Sequence, residues 1–206
     1  MYTYNDIKNY IKIKGLGHFL LLPIRWIQLR LFVIERGTIC YFVPANIPEK
    51  KLGQSIIVRR ATFNDLDKLR EIRPKTKQFR KFLENNDIFV ISLIGDKVIG
   101  HVCILKDTPE HYKNLIHLKP DEGWLTDALI HPEYRNKGIY SMIFSFAVQI
   151  AKKQGFSRVY GYLDKTNQKS IEIHTKKFGW NPVFNYKYLK FLFFEKTWIQ
   201  EIKIEM

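Results

Sequence analysis

The stretch from Trp124 to Gly155, WLTDALIHPEYRNKGIYSMIFSFAVQIAKKQG, constrains the fold more than any other part of the chain. Trp124 to Ile130 is apolar and strand-prone apart from Thr126 and Asp127, and Pro132 ends the strand because proline cannot donate to a ladder. From Ser141, apolar residues at Ile143, Ala147, Ile150 and Ala151 mark one face of a helix, which Gly155 closes. Arg135-Asn136-Lys137-Gly138 makes the turn between them. A turn of this kind delivers backbone N–H groups to a helix N-terminus, which suits an anion. Arg135 and Lys137 beside it point to phosphate.

The flanking sequence supplies a sheet and its covering helices. Ser55–Arg59 reads as a short strand. Thr62 with Asp65 three residues on marks a helix start, and Leu66, Leu69 and Ile72 give that helix a buried face. Pro74 interrupts it, and Phe79, Phe82 and Leu83 form a second short apolar face. Ile88–Ile94 and Lys97–Leu105 flank Gly95-Asp96, a two-residue hairpin signal. The loop at 106–121 carries His111 and His117 without the Cys or carboxylate spacing of a metal site, so no metal is expected. Arg158–Leu163 reads as a strand, and Asn167 opens a helix carrying Ile171, Ile173 and Phe178 that ends at Gly179-Trp180. Tyr186–Phe194 and Trp198–Ile204 read as strands closing the sheet.

Residues 1–54 read as an extension outside this core. The apolar run from Phe19 to Ile34 is long enough to span a bilayer, but Pro23, Arg25 and Arg30 argue against that. Two readings stay open, a basic amphipathic helix on a membrane or partner and an element packed on the domain, the second preferred. Glu35–Thr38 reads as the turn of a hairpin between Leu31–Ile34 and Ile39–Val43, and Pro44, Asn46 and Pro48 as a linker.

The formal charge is +14, and the first 60 residues carry half of it, with ten Lys and Arg against three Asp and Glu. That balance favours anionic partners. Scattered lysines without a nucleic-acid motif weigh against nucleic acid. Two distant cysteines, Cys40 and Cys103, are too few for a disulfide framework and imply a reducing compartment. With no visible signal peptide, the expected location is cytoplasmic, with a peripheral membrane attachment left open.

Ile130-His131-Pro132-Glu133-Tyr134-Arg135-Asn136-Lys137-Gly138-Ile139 resembles the acetyl-CoA signature of the GNAT superfamily of N-acetyltransferases. That signature is a β-branched residue, a spacer, Pro, two spacers, Arg, two spacers, Gly, a spacer, then Gly or Ala; here the last position is Tyr140. The block from Asn167 to Trp180 resembles the family's C-terminal motif, and the likeness extends over residues 55–198. It implies an α+β fold over 55–206, a GNAT-like, mostly antiparallel sheet split at strands 4 and 5 and flanked by helices.

The resemblance further implies transfer of an acetyl group from acetyl-CoA to a primary amine, by direct attack in a ternary complex and without a metal. The pyrophosphate would rest on Arg135 and the amides of Asn136, Lys137, Gly138, Ile139, Tyr140 and Ser141. Leu129 and Ile130 would line the thioester, the Ile130 N–H serving as oxyanion donor. Asn167 would touch the pantetheine arm or cap its helix. His174 stands where the family often has the tyrosine that protonates the leaving thiolate. Asp127, a carboxylate in an apolar strand, is the expected base, its pKa raised by burial, with Asp121 and Glu122 as second choices.

The two helices after Thr62 and the 106–121 loop would border the acceptor, a small-molecule or protein amine. Arg73, Lys75, Lys77, Arg80 and Lys81 there would suit an acidic one. The competing reading is a non-catalytic CoA-binding or docking module, whose basic residues 1–54 bind an anionic membrane surface or protein partner.

Overall fold

The computed structural model describes residues 32–47, 56–73, 77–191 and 194–202. The chain divides into two compact units. Of the described residues, the first holds those between 44 and 159, and the second those between 32 and 43 and between 160 and 202.

The first unit is built on an antiparallel sheet of four strands, β2 (Ile57–Arg60), β3 (Ile88–Ile94), β4 (Lys97–Leu105) and β5 (Glu122–Ile130), paired in that order. The hairpin turns at Gly95-Asp96 as its sequence predicts, with Gly95 at φ 54°. β3 and β4 are buried along nearly their whole length, so both faces of the sheet are covered. Helices α1 (Leu66–Ile72) and α2 (Lys77–Glu84) place Leu66, Leu69, Ile72 and Phe79 in one cluster with Phe89, Ile91 and Leu93 of β3. The long helix α3 (Ile139–Lys153) packs against β3 and β4. Its buried face includes Ile143, Ala147 and Ala151, as the 3.6-residue period requires.

Thr62 and Asp65 form the expected capping arrangement. Asp65 Oδ2 accepts from the Thr62 amide at 2.8 Å and its hydroxyl at 2.9 Å, and Arg59 grips both carboxylate oxygens from the preceding strand. Pro74 lies outside the described residues. α1 nevertheless ends just before it, with Arg73 already extended, as the residue before a proline favours.

The second unit orders its strands β6 (Arg158–Asp164), β1 (Phe32–Phe42), β7 (Asn181–Phe191) and β8 (Phe194–Glu201). Here the sequence reading needs correction. The expected hairpin turn at Glu35–Thr38 is absent. Residues 32–42 run as one continuous strand, antiparallel to β7, with Glu35 opposite Tyr188 and Gly37 opposite Tyr186. Gly37 is small for packing, not for turning. A Cβ there would lie 1.8 Å from the Tyr162 ring and 2.7 Å from the Leu163 carbonyl. Part of the presumed extension is therefore a sheet strand; residues 1–31 lie outside the described residues. β7 starts at Asn181, earlier than the Tyr186 expected, and pairs with β8 from Phe184 to Phe191.

Candidate active site

The turn after β5 has the backbone that an anion site requires. Pro132–Tyr134 make a single 3-10 turn, closed by Arg135 N–H on the Pro132 carbonyl at 3.2 Å. Asn136 then takes φ 63° and Gly138 φ 75°, two left-handed residues flanking Lys137. Alternation of this kind turns successive N–H groups to one side. Met142 N–H reaches the Gly138 carbonyl at 3.2 Å. No acceptor among the described residues takes the N–H of Lys137, Gly138 or Ile139, which precede or open a 15-residue helix. The Arg135 side chain secures the turn, its Nε donating to the Ile130 carbonyl at 3.1 Å. The Lys137 ammonium stands over the Tyr134 ring at 5.3 Å. Tyr140 stacks on Phe144 one helical turn on, centroids 5.8 Å apart, and burial pushes its phenol pKa up.

Ile130 lies opposite Gly100, and the next pair carries a ladder bond, His131 N–H to the Ile99 carbonyl at 2.8 Å. Antiparallel pairs alternate, so the amide of Ile130 faces away from β4. Leu129, opposite His101, has its amide turned toward β4.

Asp127 sits at a defect in the same strand. The register between β4 and β5 shifts there, with His101 opposite Leu129 but Cys103 opposite Thr126, and Asp127 takes φ 48°. A bulge re-aims a side chain and is a common device beside functional sites. Its carboxylate is 6% exposed and collects groups from three elements. Arg73, at the end of α1, stands 3.0 Å from Oδ1; Gln78 of α2 donates to Oδ2; and Nε2 of His101 in β4 lies 3.7 Å from Oδ1. That last distance is too long for a hydrogen bond, so His101 acts on the carboxylate electrostatically.

The expectation that burial would raise the pKa of Asp127 is overturned. Burial does push it up, but His101, Arg73 and Gln78 together outweigh burial and hold the carboxyl below the ordinary range. Of the second choices, Glu122 is tied up in structure, its Oε2 accepting the Lys119 amide at 3.0 Å, while Asp121 is exposed and its backbone carbonyl accepts from the Ser157 hydroxyl at 3.3 Å.

Asp127 opens onto a cavity of about 690 Å³ whose wall includes Arg73, Gln78, Asp87, Asp107 and Glu110. The wall comes from α1, α2 and the 106–113 loop, the segments expected to border the acceptor. The basic character read from the sequence carries into it only in part. Arg73 and Lys81 line the wall, Arg73 paired with Asp127, while Arg80 lies over the Phe63 ring at 6.0 Å and Lys75 lies outside the described residues.

Asn167 and His174 belong to the second unit. Asn167 caps the short helix α4 (Gln168–Glu172), its side-chain oxygen accepting from Ser170 N–H at 3.1 Å. The helix continues as a π-turn over Ile173–Lys177. His174 is buried there, edge-on to Trp180 at 4.5 Å. Its Nδ1 lies 2.7 Å from the Ser170 carbonyl, an acceptor only, so Nδ1 carries the proton. Burial lowers its pKa although the Ser170 bond opposes this. A neutral imidazole whose proton is spent on Ser170 has none for a thiolate, so the geometry argues for packing over acid catalysis.

Gln78, His101 and Asp87 were missed in the sequence. His101 alone left a signal there, a polar side chain inside a continuous apolar strand. Among the described residues no cluster of three or more His, Cys, Asp and Glu could hold a metal ion, and no helix is long and apolar enough to cross a membrane. Both cysteines are buried free thiols, with burial pushing Cys40 up to about 12.

The model of the acetyltransferase (GNAT) family matches residues 57–180, and the chain belongs to that family. Solved structures share the fold at low identity. A Drosophila protein superposes with TM-score 0.59 at 11% identity, covering 85% of this chain and 58% of its own. The GCN5-related glucosamine N-acetyltransferase region of a fungal multi-domain β-N-acetylglucosaminidase gives 0.58 at 12%, covering 80% and 22%. A GCN5-related N-acetyltransferase from Sphaerobacter thermophilus gives 0.55 at 12%, covering 82% and 56%. The chain spans less than two thirds of each, and at these identities the likeness shows the fold alone. No curated protein matches the chain.

Proposed function

We propose that the chain transfers an acetyl group from acetyl-CoA to a primary amine held in the cavity beside Asp127. The observation that carries this reading is the set of untaken N–H groups at Lys137, Gly138 and Ile139, at the N-terminus of α3 and beside Arg135. Backbone donors fixed in this way fit a diphosphate, and the helix dipole adds to them. Asn136, Tyr140 and Ser141 complete the cradle, with Leu129 and Ile130 beside the thioester. Asn167, in the second unit, has its side-chain oxygen on the Ser170 amide, which supports its capping role.

Bound acetyl-CoA supplies an activated acyl group. The amine nitrogen attacks the acyl carbon, the C–S bond breaks, and the thiolate departs and takes a proton from solvent. The Ile130 amide, turned away from β4, is the donor for the carbonyl oxygen. Asp127 remains ionised at neutral pH, accepts the proton that the amine gives up and orients the amine as it docks. Because its carboxyl is held low, it passes that proton on to water readily and is a weak base. Positioning of amine against thioester supplies much of the rate.

The test is release of free thiol from acetyl-CoA in the presence of a panel of amines. Amine-dependent release supports the reading, and binding of CoA without any release supports the alternative of a CoA-binding module.

A further inference from the structure

The cavity wall holds four carboxylates, Asp87, Asp107, Glu110 and Asp127, against the cations Arg73, Lys81 and Lys113. Two of the cations are spent. Arg73 pairs with Asp127 at 3.0 Å and Lys113 with Glu110 at 2.6 Å. Among the described residues no ion pair is made by Asp87 or Asp107.

Asp87 is fixed at the start of β3. Its amide donates to the Phe82 carbonyl at 2.9 Å, and Arg60 holds its own carbonyl at 3.0 Å. It is 4% exposed, and Oδ1 accepts the Lys106 amide at 3.0 Å. No donor among the described residues reaches Oδ2. Asp107 follows Lys106 directly, so the backbone that binds one carboxylate brings the second beside it. Burial pushes Asp87 upward, the Lys106 amide and ammonium oppose this without cancelling it, and the like charge of Asp107 adds to the rise. A buried carboxylate with an unmatched oxygen and a like-charged neighbour is stabilised by a cation.

We infer that Asp87 and Asp107 hold a second cationic group of the acceptor, which is therefore a small diamine or longer polyamine. This rests on the reading of the cavity as the acceptor site. The reacting amine lies at the Asp127 end and the distal ammonium between Asp87 and Asp107. An anionic acceptor is disfavoured, because its charge would meet four wall carboxylates while two of the three wall cations are already paired. The cavity volume lies in the range of small-molecule sites, several hundred Å³.

The test compares 1,3-diaminopropane, 1,4-diaminobutane and 1,5-diaminopentane with n-butylamine on the full chain. Thiol release is measured for the parent, Asp87→Asn and Asp107→Asn, with calorimetric binding of 1,4-diaminobutane alongside. The expected result is a kcat/KM about tenfold or more higher for the best diamine than for butylamine. That ratio falls toward unity in each variant, through KM more than kcat. Asp107 is exposed, so its variant carries the test should Asp87→Asn fail to fold. Equal kcat/KM for diamine and monoamine, or an undiminished diamine preference in Asp107→Asn, overturns the inference while leaving acetyl transfer intact. Should no amine release thiol, the transferase reading fails and binding decides. Affinity for 1,4-diaminobutane that is lost in the variants supports the cation site, and no binding to the parent overturns it.

Discussion

The Arg73 guanidinium stands 3.0 Å from Oδ1 of Asp127, joining the end of α1 to the bulge in β5 across a buried carboxylate. Asparagine preserves the shape of Asp127 and tolerates its left-handed backbone, so Asp127→Asn removes charge and little else. It should lower kcat by about a hundredfold while leaving CoA affinity within about twofold of the parent. Because the Asp127 carboxyl is held low, any acid-side loss of rate down to about pH 5 comes from protonation of the amine. The variant should keep that limb unchanged in shape. Full activity in Asp127→Asn removes this residue from the mechanism.

Asp65 makes a stability prediction with a definite sign. Burial opposes its ionisation, yet Arg59 and the two Thr62 donors prevail and lower its pKa from 3.8 to about 2. A carboxyl held lower in the folded state stabilises the fold above the unfolded value and loses that contribution as pH falls through the folded value. The contribution is about 2 kcal/mol at neutral pH. Urea unfolding of Asp65→Asn should show that loss at neutral pH and a flatter acid decline than the parent.

Gly37 tests the continuous strand. With Tyr162 1.8 Å from a Cβ built there, Gly37→Ala should destabilise the fold by about 1–3 kcal/mol. In a hairpin turn remote from Tyr162, alanine would cost far less. Thermal unfolding of the variant distinguishes the two.

The legible and illegible parts of the chain divide along physical lines. Strand β5, its turn and α3 were readable because apolar period and glycine placement agree over a continuous stretch. The Thr62–Asp65 cap and the Gly95-Asp96 hairpin were readable because their chemistry is local. The strand at 32–42 was not, since Gly37 owes its place to Tyr162, far along the chain. The charge state of Asp127 was hidden for the same reason. Sequence shows a carboxylate in an apolar strand; only the fold brings Arg73, Gln78 and His101 to it. Asp87 looks like an ordinary polar residue before a strand until the Lys106 amide is found on it. His174 has the position of an acid, but the surroundings of a packed side chain.

Isothermal titration of CoA into the parent, Arg135→Ala and Gly138→Glu bears most directly on the phosphate cradle between Arg135 and Ser141. The parent should bind CoA. Both variants should lose about tenfold or more in affinity, Arg135→Ala by loosening the turn and removing a cation, Gly138→Glu by placing an anion and a strained residue among the amides. Parent-like binding by both folded variants would contradict the account.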